Sequence, residues 1–140
     1  MCRDSFFEGS DFNTLLSSLI ANQNGLSKSR FNYIIEENFD WEQVQNIYKI
    51  NLYRIIQEAL LNIHKYSKAL NVDVKIQLLE NKILKLSIMD DGVGFDINAG
   101  KKGIGLSNIK ERTNSLKGNL DIRTGIGKGS EIIVRFEIAR

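Results

Sequence analysis

The chain of 140 residues contains no proline, one cysteine and one histidine. A single cysteine, Cys2, excludes an internal disulfide, and a single histidine, His64, excludes a His-rich metal cluster, so zinc chemistry is not expected. No stretch approaches the roughly 18 uninterrupted apolar residues of a membrane span, and the N-terminus lacks the basic-then-apolar pattern of a secretory signal. These absences predict a soluble domain in the reducing cytoplasm.

The net charge is also small, because 19 basic and 17 acidic residues leave a charge of +2. The lysines are scattered except around residues 65–68 and 101–102, so general nucleic-acid binding is not indicated. Without proline, the turns must depend on the 11 glycines together with Asn and Asp. Most of these glycines lie after position 91, and we expect the chemistry there.

Hydrophobic periodicity predicts one domain of helices and strands without internal repeats. The predicted elements are a helix from its cap Asp11 to about Asn22, a turn at 23–29, a strand at 30–36, a long helix from about Glu42 or Tyr48 to Leu70, hairpin strands at 72–79 and 83–89, a helix around 106–116 and strands at 119–124 and 130–138. Gly118 is the expected left-handed residue that ends the last helix. This order predicts a two-layer α+β sandwich, one sheet with helices on one face.

A polar line runs beside the apolar stripe of the long helix. Glu58, Asn62 and Lys65 are spaced i, i+4 and i+7, which places them on one side. A carboxylate, an amide oxygen and an ammonium suit a magnesium-triphosphate site, since Mg²⁺ takes hard oxygen ligands and lysine neutralises phosphate. The alternative is an ordinary solvated helix face.

A second pattern, Asp90-x-Gly92-x-Gly94, ends a predicted strand. A carboxylate at a strand end followed by two glycines offers an acceptor at a cleft edge and lets a flat ligand approach the backbone. The amino group of adenine would be a suitable donor to it. An acidic turn explains the same residues without a ligand.

Glycines also precede the next predicted helix, in Gly103-Ile-Gly105-Leu106-Ser-Asn. Backbone N–H groups at a helix start can bind phosphate, so the segment is a candidate phosphate cradle. It matches neither a P-loop nor a dinucleotide fingerprint. A lone G-x-G is weak evidence, and the glycines at 125–130 are equally explained by a turn between strands.

The order of these patterns, completed by Gly127-Lys-Gly-Ser, resembles the nucleotide-binding boxes of the histidine-kinase-like ATPases. The resemblance covers about residues 11–139 and is greatest, through 52–62 and 105–112, for sensor kinases paired with helix-turn-helix response regulators. It implies the Bergerat fold, an α/β (α+β) sandwich with a mixed, mostly antiparallel sheet and about three helices on one face. We divide the chain into residues 1–10, a remnant of a preceding dimerisation domain or an artificial end, and a catalytic domain at 11–140.

By this resemblance, the cofactors are ATP and Mg²⁺, which lie between the long helix, the end of the strand at Asp90 and a mobile loop at 96–102. Asn62 would ligate Mg²⁺ through its amide oxygen, Glu58 would hold or polarise a metal-bound water, and Lys65 would approach the phosphates. Asp90 would accept from the adenine amino group, and Asp91 would be its variable neighbour.

The resemblance also assigns the remaining pocket residues. Gly92 and Gly94 would shape the adenine edge of the pocket, and Ser130, where the family usually has threonine, would keep a hydroxyl near the base. Gly103 and Gly105 would hinge the lid loop, while Leu106 would offer a backbone amide to phosphate.

The implied function is transfer of the γ-phosphate of ATP to a histidine on a separate dimerisation domain, with a cognate response regulator as a further partner. His64 lies inside the Asn62-x-x-Lys65 segment and is not the expected acceptor. The isolated domain would be a monomer, and the full-length kinase a homodimer, cytoplasmic here even if anchored through its missing N-terminal part. The alternatives are an anti-sigma-factor-type serine kinase, a nucleotide-binding module without transfer and a plain interaction domain.

Overall fold

The computed structural model describes residues 9–26, 29–36, 39–66, 71–92, 104–124 and 129–138. The helices are α1 (Gly9–Leu26), α2 (Asn46–Tyr66) and α3 (Ile104–Ser115), and the strands are β1 (Arg30–Ile35), β2 (Asn71–Leu79), β3 (Ile83–Asp90), β4 (Asn119–Thr124) and β5 (Ser130–Glu137). The three predicted helices and five predicted strands are all present. Within the described ranges, no helix has the length and apolar character needed to span a bilayer.

The strands form one mixed sheet in the order β1-β2-β3-β5-β4. β1 and β2 run parallel, and the other three neighbouring pairs are antiparallel. Glu80 and Asn81 close the predicted β2–β3 hairpin with left-handed backbone angles. Because β3 is the central strand, each of its ends is flanked by β2 on one side and β5 on the other.

The core lies on one face of this sheet. Alternate residues of the three inner strands are buried there, namely Val72, Val74, Ile76, Leu84, Leu86, Ile88, Ile132, Val134 and Phe136. The predicted stripe of α2 joins the same core through Leu52, Ile55, Ile56, Ala59, Leu60 and Ile63. Burying each large side chain stabilises the fold by about 1.5–3 kcal/mol. The predicted sandwich of helices over one sheet face is therefore confirmed.

α2 begins at neither of its two predicted starts, Glu42 and Tyr48. Trp41–Gln43 forms a separate 3-10 helix, and α2 begins at Asn46. Trp41 is buried and meets the ring of Phe12 edge-on, with ring centroids 4.7 Å apart. The interruption therefore lets the indole pack against α1. The predicted continuation of the helix through residues 67–70 falls outside the described part of the chain.

α1 is longer at both ends than the sequence predicts. It begins at Gly9, before the predicted cap Asp11, and it continues past Asn22 to Leu26. The first four residues of the predicted turn are thus helical, and residues 27 and 28 are not described.

Two side-chain contacts hold α1 to β1. The Asn24 side chain donates through Nδ2 to the carbonyl of Phe31 at 3.2 Å and accepts from the N–H of Phe31 at 2.7 Å. The Tyr33 hydroxyl donates to Oδ1 of Asn13 at 2.8 Å. Burial raises the pKa of Tyr33 above its ordinary value. The contacts of Asn24 give a tertiary reason for the extra helical turn.

The end of α3 is a Schellman cap displaced by one residue from the prediction. The N–H of Gly118 donates to the carbonyl of Thr113 at 2.8 Å, and the N–H of Lys117 donates to that of Asn114 at 2.9 Å. The left-handed residue is Lys117, with φ of 57°, so the prediction for Gly118 was wrong. Glycine is required at 118 for a different reason, because a Cβ there would lie 2.6 Å from the buried ring of Phe136.

Candidate functional site

Asp90 is the last residue of the central strand and carries a buried carboxylate, 5% exposed. Its neighbours across the sheet are Val72 and Ser130. Its Oδ1 accepts from the backbone N–H of Gly92 at 2.8 Å, and its Oδ2 accepts a hydrogen bond from the hydroxyl of Ser130. The structure thus brings three predicted site residues together, with the carboxylate oriented from two sides.

Gly129 holds the start of β5 against the end of β3. Its φ is +76°, and a Cβ at this position would overlap the carbonyl oxygen of Asp90. The hydroxyl of Thr124, at the end of β4, donates to the carbonyl of Gly129 at 3.3 Å. Because glycine alone accommodates both the backbone angle and the close approach, it allows Ser130 to reach Asp90.

Asp91 has a defined structural role that the sequence pattern does not indicate. Its backbone N–H donates to the carbonyl of Asn71 at 3.2 Å. In return, its carboxylate accepts from the Asn71 backbone N–H at 2.9 Å and from the Asn71 side-chain amide at 3.0 Å. These bonds join the beginning of β2 to the residue that follows Asp90.

Glu58 and Asn62 both lie on α2, one helical turn apart and partly buried. Within the described part of the chain, neither side chain has a hydrogen-bond or ion-pair partner. The backbone of Lys65 and His64 belongs to α2, but their side chains are outside the described set.

The predicted phosphate cradle is described only at the start of α3. The helix begins one residue before Gly105, so Gly105 and Leu106 lie in its first turn, where backbone N–H groups have no acceptor within the helix. The Leu106 side chain packs against the core. Gly94, Gly103 and the expected lid at 96–102 lie outside the described residues.

An open cavity of about 580 Å³ lies at this end of the sheet. Its lining residues are Met89, Asp90, Asp91, Arg123, Thr124, Gly129, Ser130 and Glu131. Met89 and Glu131 alternate with Asp90 and Ser130 along their strands and so point away from the helices. All the described lining residues come from β3, β4 and β5 or the residues directly beside them, so among the described residues this cavity lies at the strand ends.

Sequence reasoning missed Asn71 and Thr124 and left Gly129 unassigned. The signal for Gly129 was present, because a glycine just before a strand often marks a left-handed or crowded position. Asn71 and Thr124 act through partners 20 and 5 residues away. No local pattern marks such pairs, since they depend on how the strands meet.

Comparison with known proteins independently supports the resemblance to the histidine-kinase-like ATPases. Over 93 residues the chain is 44% identical to the sensor histidine kinase ComP of Bacillus subtilis, which covers 64% of this chain and 12% of that protein. Over 103 residues it is 36% identical to the oxygen sensor histidine kinase NreB of Staphylococcus carnosus, and this match covers 72% of this chain and 29% of that protein. The chain thus spans less than a third of the length of these relatives.

Solved structures share the fold at low sequence identity. The histidine kinase domain of the Erythrobacter litoralis blue-light activated histidine kinase has a TM-score of 0.73 at 15% identity, over 92% of this chain and 60% of that one. The Acinetobacter baumannii histidine kinase AdeS has the same TM-score and identity, over 95% of this chain and 68% of that one. Residues 48–140 match the model of a single family. The chain belongs to the histidine kinase-, DNA gyrase B- and HSP90-like ATPases.

Proposed function

We propose that this chain binds Mg²⁺-ATP and supplies the γ-phosphate to a histidine on a separate dimerisation domain of a two-component kinase. The observation that carries the proposal is the buried carboxylate of Asp90, oriented by Ser130 and Gly92 in a member of an ATPase family. Relatives named sensor histidine kinases support the transfer to histidine rather than to serine.

Asp90 would recognise the adenine base. The hydroxyl of Ser130 and the N–H of Gly92 donate to its carboxylate and fix the direction in which it faces. The adenine amino group would be a further donor to the same carboxylate. Guanine presents a carbonyl in that place, which would leave two acceptors facing each other and a buried polar group without a partner.

Glu58 and Asn62 would hold the metal that accompanies ATP. The amide oxygen of Asn62 and the carboxylate of Glu58 are the hard oxygen donors that Mg²⁺ prefers, and neither is used by the described part of the protein. Asn62 would bind directly and Glu58 through a water molecule. The bound metal would neutralise phosphate charge.

The phosphates themselves would meet Lys65 and the start of α3. The backbone N–H groups of Gly105 and Leu106 point out of the first turn of a helix, whose dipole also favours an anion. Gly103 would hinge the lid and Gly94 would complete the adenine edge. Phosphoryl transfer then needs positioning and charge neutralisation more than covalent chemistry by the protein.

The acceptor would be supplied by another domain, since His64 lies on α2 within the proposed pocket segment. A side chain on a fixed helix is poorly placed to align with the γ-phosphate. The dimerisation domain of the same homodimeric kinase would provide the histidine, and a cognate response regulator would take the phosphate next. This domain would act in the cytoplasm.

Calorimetric titration of the chain with ATP, with and without Mg²⁺, tests the binding part of the proposal. We expect ATP and ADP to bind, with magnesium strengthening ATP binding, and Asp90→Asn to weaken both. Asp121→Asn is the matched control, because it removes the same charge from an exposed ion pair with Arg123 on β4. Equal loss in both variants, or wild-type affinity in Asp90→Asn, would contradict the assignment.

Incubation with radiolabelled ATP tests the transfer part. The 140-residue chain alone should remain unlabelled, and a longer protein that includes the dimerisation domain should acquire acid-labile label on a histidine. Acid-labile label on the short chain that disappears in His64→Gln would overturn the proposed role of the separate domain. Acid-stable label on a partner would indicate a serine kinase instead.

A further inference from the structure

Asp91 ends the β2–β3 ladder in an unusual way. Opposite residues of a hydrogen-bonded antiparallel pair normally exchange two backbone bonds. Asp91 and Asn71 keep one, from the N–H of Asp91 to the carbonyl of Asn71 at 3.2 Å. The other donor, the N–H of Asn71, goes to the carboxylate of Asp91 at 2.9 Å. The side chain of Asp91 thus takes the place of a backbone carbonyl.

This replacement allows the backbone to leave the sheet one residue after Asp90. A continued ladder would require the carbonyl of Asp91 to face β2, which would carry the chain onward as a strand. With the carboxylate in that role, the chain turns at Asp91 and brings the N–H of Gly92 back to Asp90 at 2.8 Å. The Asn71 side chain completes the clamp through its bond to the second carboxylate oxygen at 3.0 Å.

We propose that Asp91 is a positioning residue for base recognition. By clamping Asn71, it fixes the turn that orients the carboxylate of Asp90 and the backbone of Gly92 toward the adenine. The inference rests on the proposed function of Asp90 as the adenine acceptor. It assigns a role to a position that the sequence pattern treats as variable.

Exchanging the two clamp residues tests the proposal. Asp91→Ala removes both side-chain acceptors of the clamp, while Asn71→Asp places two carboxylates about 3 Å apart, given the present spacing. The double exchange, Asn71→Asp with Asp91→Asn, restores an amide facing a carboxylate and keeps an acceptor for the backbone N–H of residue 71. We expect each single variant to raise the Kd for ATP about tenfold, equivalent to about 1.4 kcal/mol, and the double exchange to recover nearly all of it.

Two readouts separate positioning from simple stabilisation. The first is the ratio of ATP to GTP affinity, measured by calorimetry at a temperature where circular dichroism shows each variant folded. A merely structural clamp would leave this ratio unchanged in the folded protein, whereas misplacement of Asp90 would lower it. The second is the direction of the change in ATP affinity, because Asp91→Ala removes a negative charge, which by itself should favour binding of the ATP anion. The control Asp121→Asn removes an equal charge from β4 and should keep the wild-type ratio.

The outcomes are distinct. Weaker ATP binding and a lower ATP-to-GTP ratio in both single variants, with recovery in the double exchange, would establish the role. Wild-type affinity and ratio in a folded single variant would overturn it, while leaving ATP binding by the chain intact. If the single variants do not fold, the double exchange must still fold and bind ATP like the wild type, or the inference is wrong. Failure of the wild-type chain to bind ATP would overturn the proposed function, and this inference with it.

Discussion

Replacing Gly129 with alanine is the sharpest test of how the site is built. Gly129 has φ of +76°, and a Cβ there would overlap the carbonyl oxygen of Asp90. The obstacle is backbone rather than the end of a flexible side chain, so it can be relieved only by moving β5 away from the end of β3. That movement would separate Ser130 from Asp90. The variant should therefore lose both stability and affinity for ATP.

The magnitude follows from two contributions. A left-handed backbone costs a residue with a Cβ about 1–2 kcal/mol. The overlap with Asp90 adds about 1–3 kcal/mol, the usual cost of overpacking. Reduced freedom of the unfolded chain returns roughly 0.4–1 kcal/mol. The net loss of about 1–5 kcal/mol should lower Tm by roughly 3–17 °C in a chain of this size.

Lys117→Gly measures, within the same protein, how much a left-handed backbone costs a residue that has a Cβ. Lys117 already has φ of 57° with a Cβ in place at the end of α3. Removing the Cβ should change the free energy of unfolding by no more than about 1 kcal/mol, with relief of strain opposed by the entropy of glycine. Urea unfolding and ATP titration of both variants give the comparison. A Gly129→Ala protein within about 0.5 kcal/mol of wild type, with unchanged ATP affinity, would refute the reasoning.

Three further predictions address the metal, the base and a buried hydroxyl. Asn62→Ala should abolish the magnesium-dependent part of ATP affinity in calorimetry while leaving Tm nearly unchanged, since Asn62 has no partner in the described structure; an unaltered magnesium effect would exclude it as a ligand. In competition with a fluorescent ATP analogue, ADP should displace the probe at a far lower concentration than GTP, because of the acceptor at Asp90; equal displacement would count against the adenine assignment. Burial raises the pKa of Tyr33 above its ordinary value of 10.0, so at high pH unfolding releases a proton from this hydroxyl. The free energy of unfolding should therefore fall as the pH rises above 10.0, by up to about 1.4 kcal/mol per pH unit. Urea unfolding of Tyr33→Phe should show a shallower decline, and identical slopes would contradict the effect of burial.

The secondary structure follows well from the sequence because hydrophobic periodicity reports which face of each element is buried. All six residues of the predicted α2 stripe are in the core. The β2–β3 hairpin has the predicted turn, and the alternating residues of β2 are buried on one face as expected. These features depend on residues close in sequence, and local pattern is sufficient for them.

The mistakes occur where distant residues decide the outcome. The end of α1 depends on Asn24 meeting β1, and the glycine at 118 is required by Phe136 rather than by a left-handed backbone. The predicted carboxylate at the end of β3 is in place, yet the bonds that orient it come from β5 and the turn after β3. A sequence pattern identifies which groups could form a site, whereas the sheet order determines which of them meet.

The contact between Asn24 and Phe31 has a consequence for how separate copies of the chain behave. β1 is an edge strand, and an uncovered strand edge offers N–H and carbonyl groups on which a strand from another molecule can add. The Asn24 amide satisfies both backbone groups of Phe31, much as a neighbouring strand would. At Phe31 a strand from another molecule would therefore have to displace the Asn24 amide before it could pair with β1, which makes strand addition at this point less favourable.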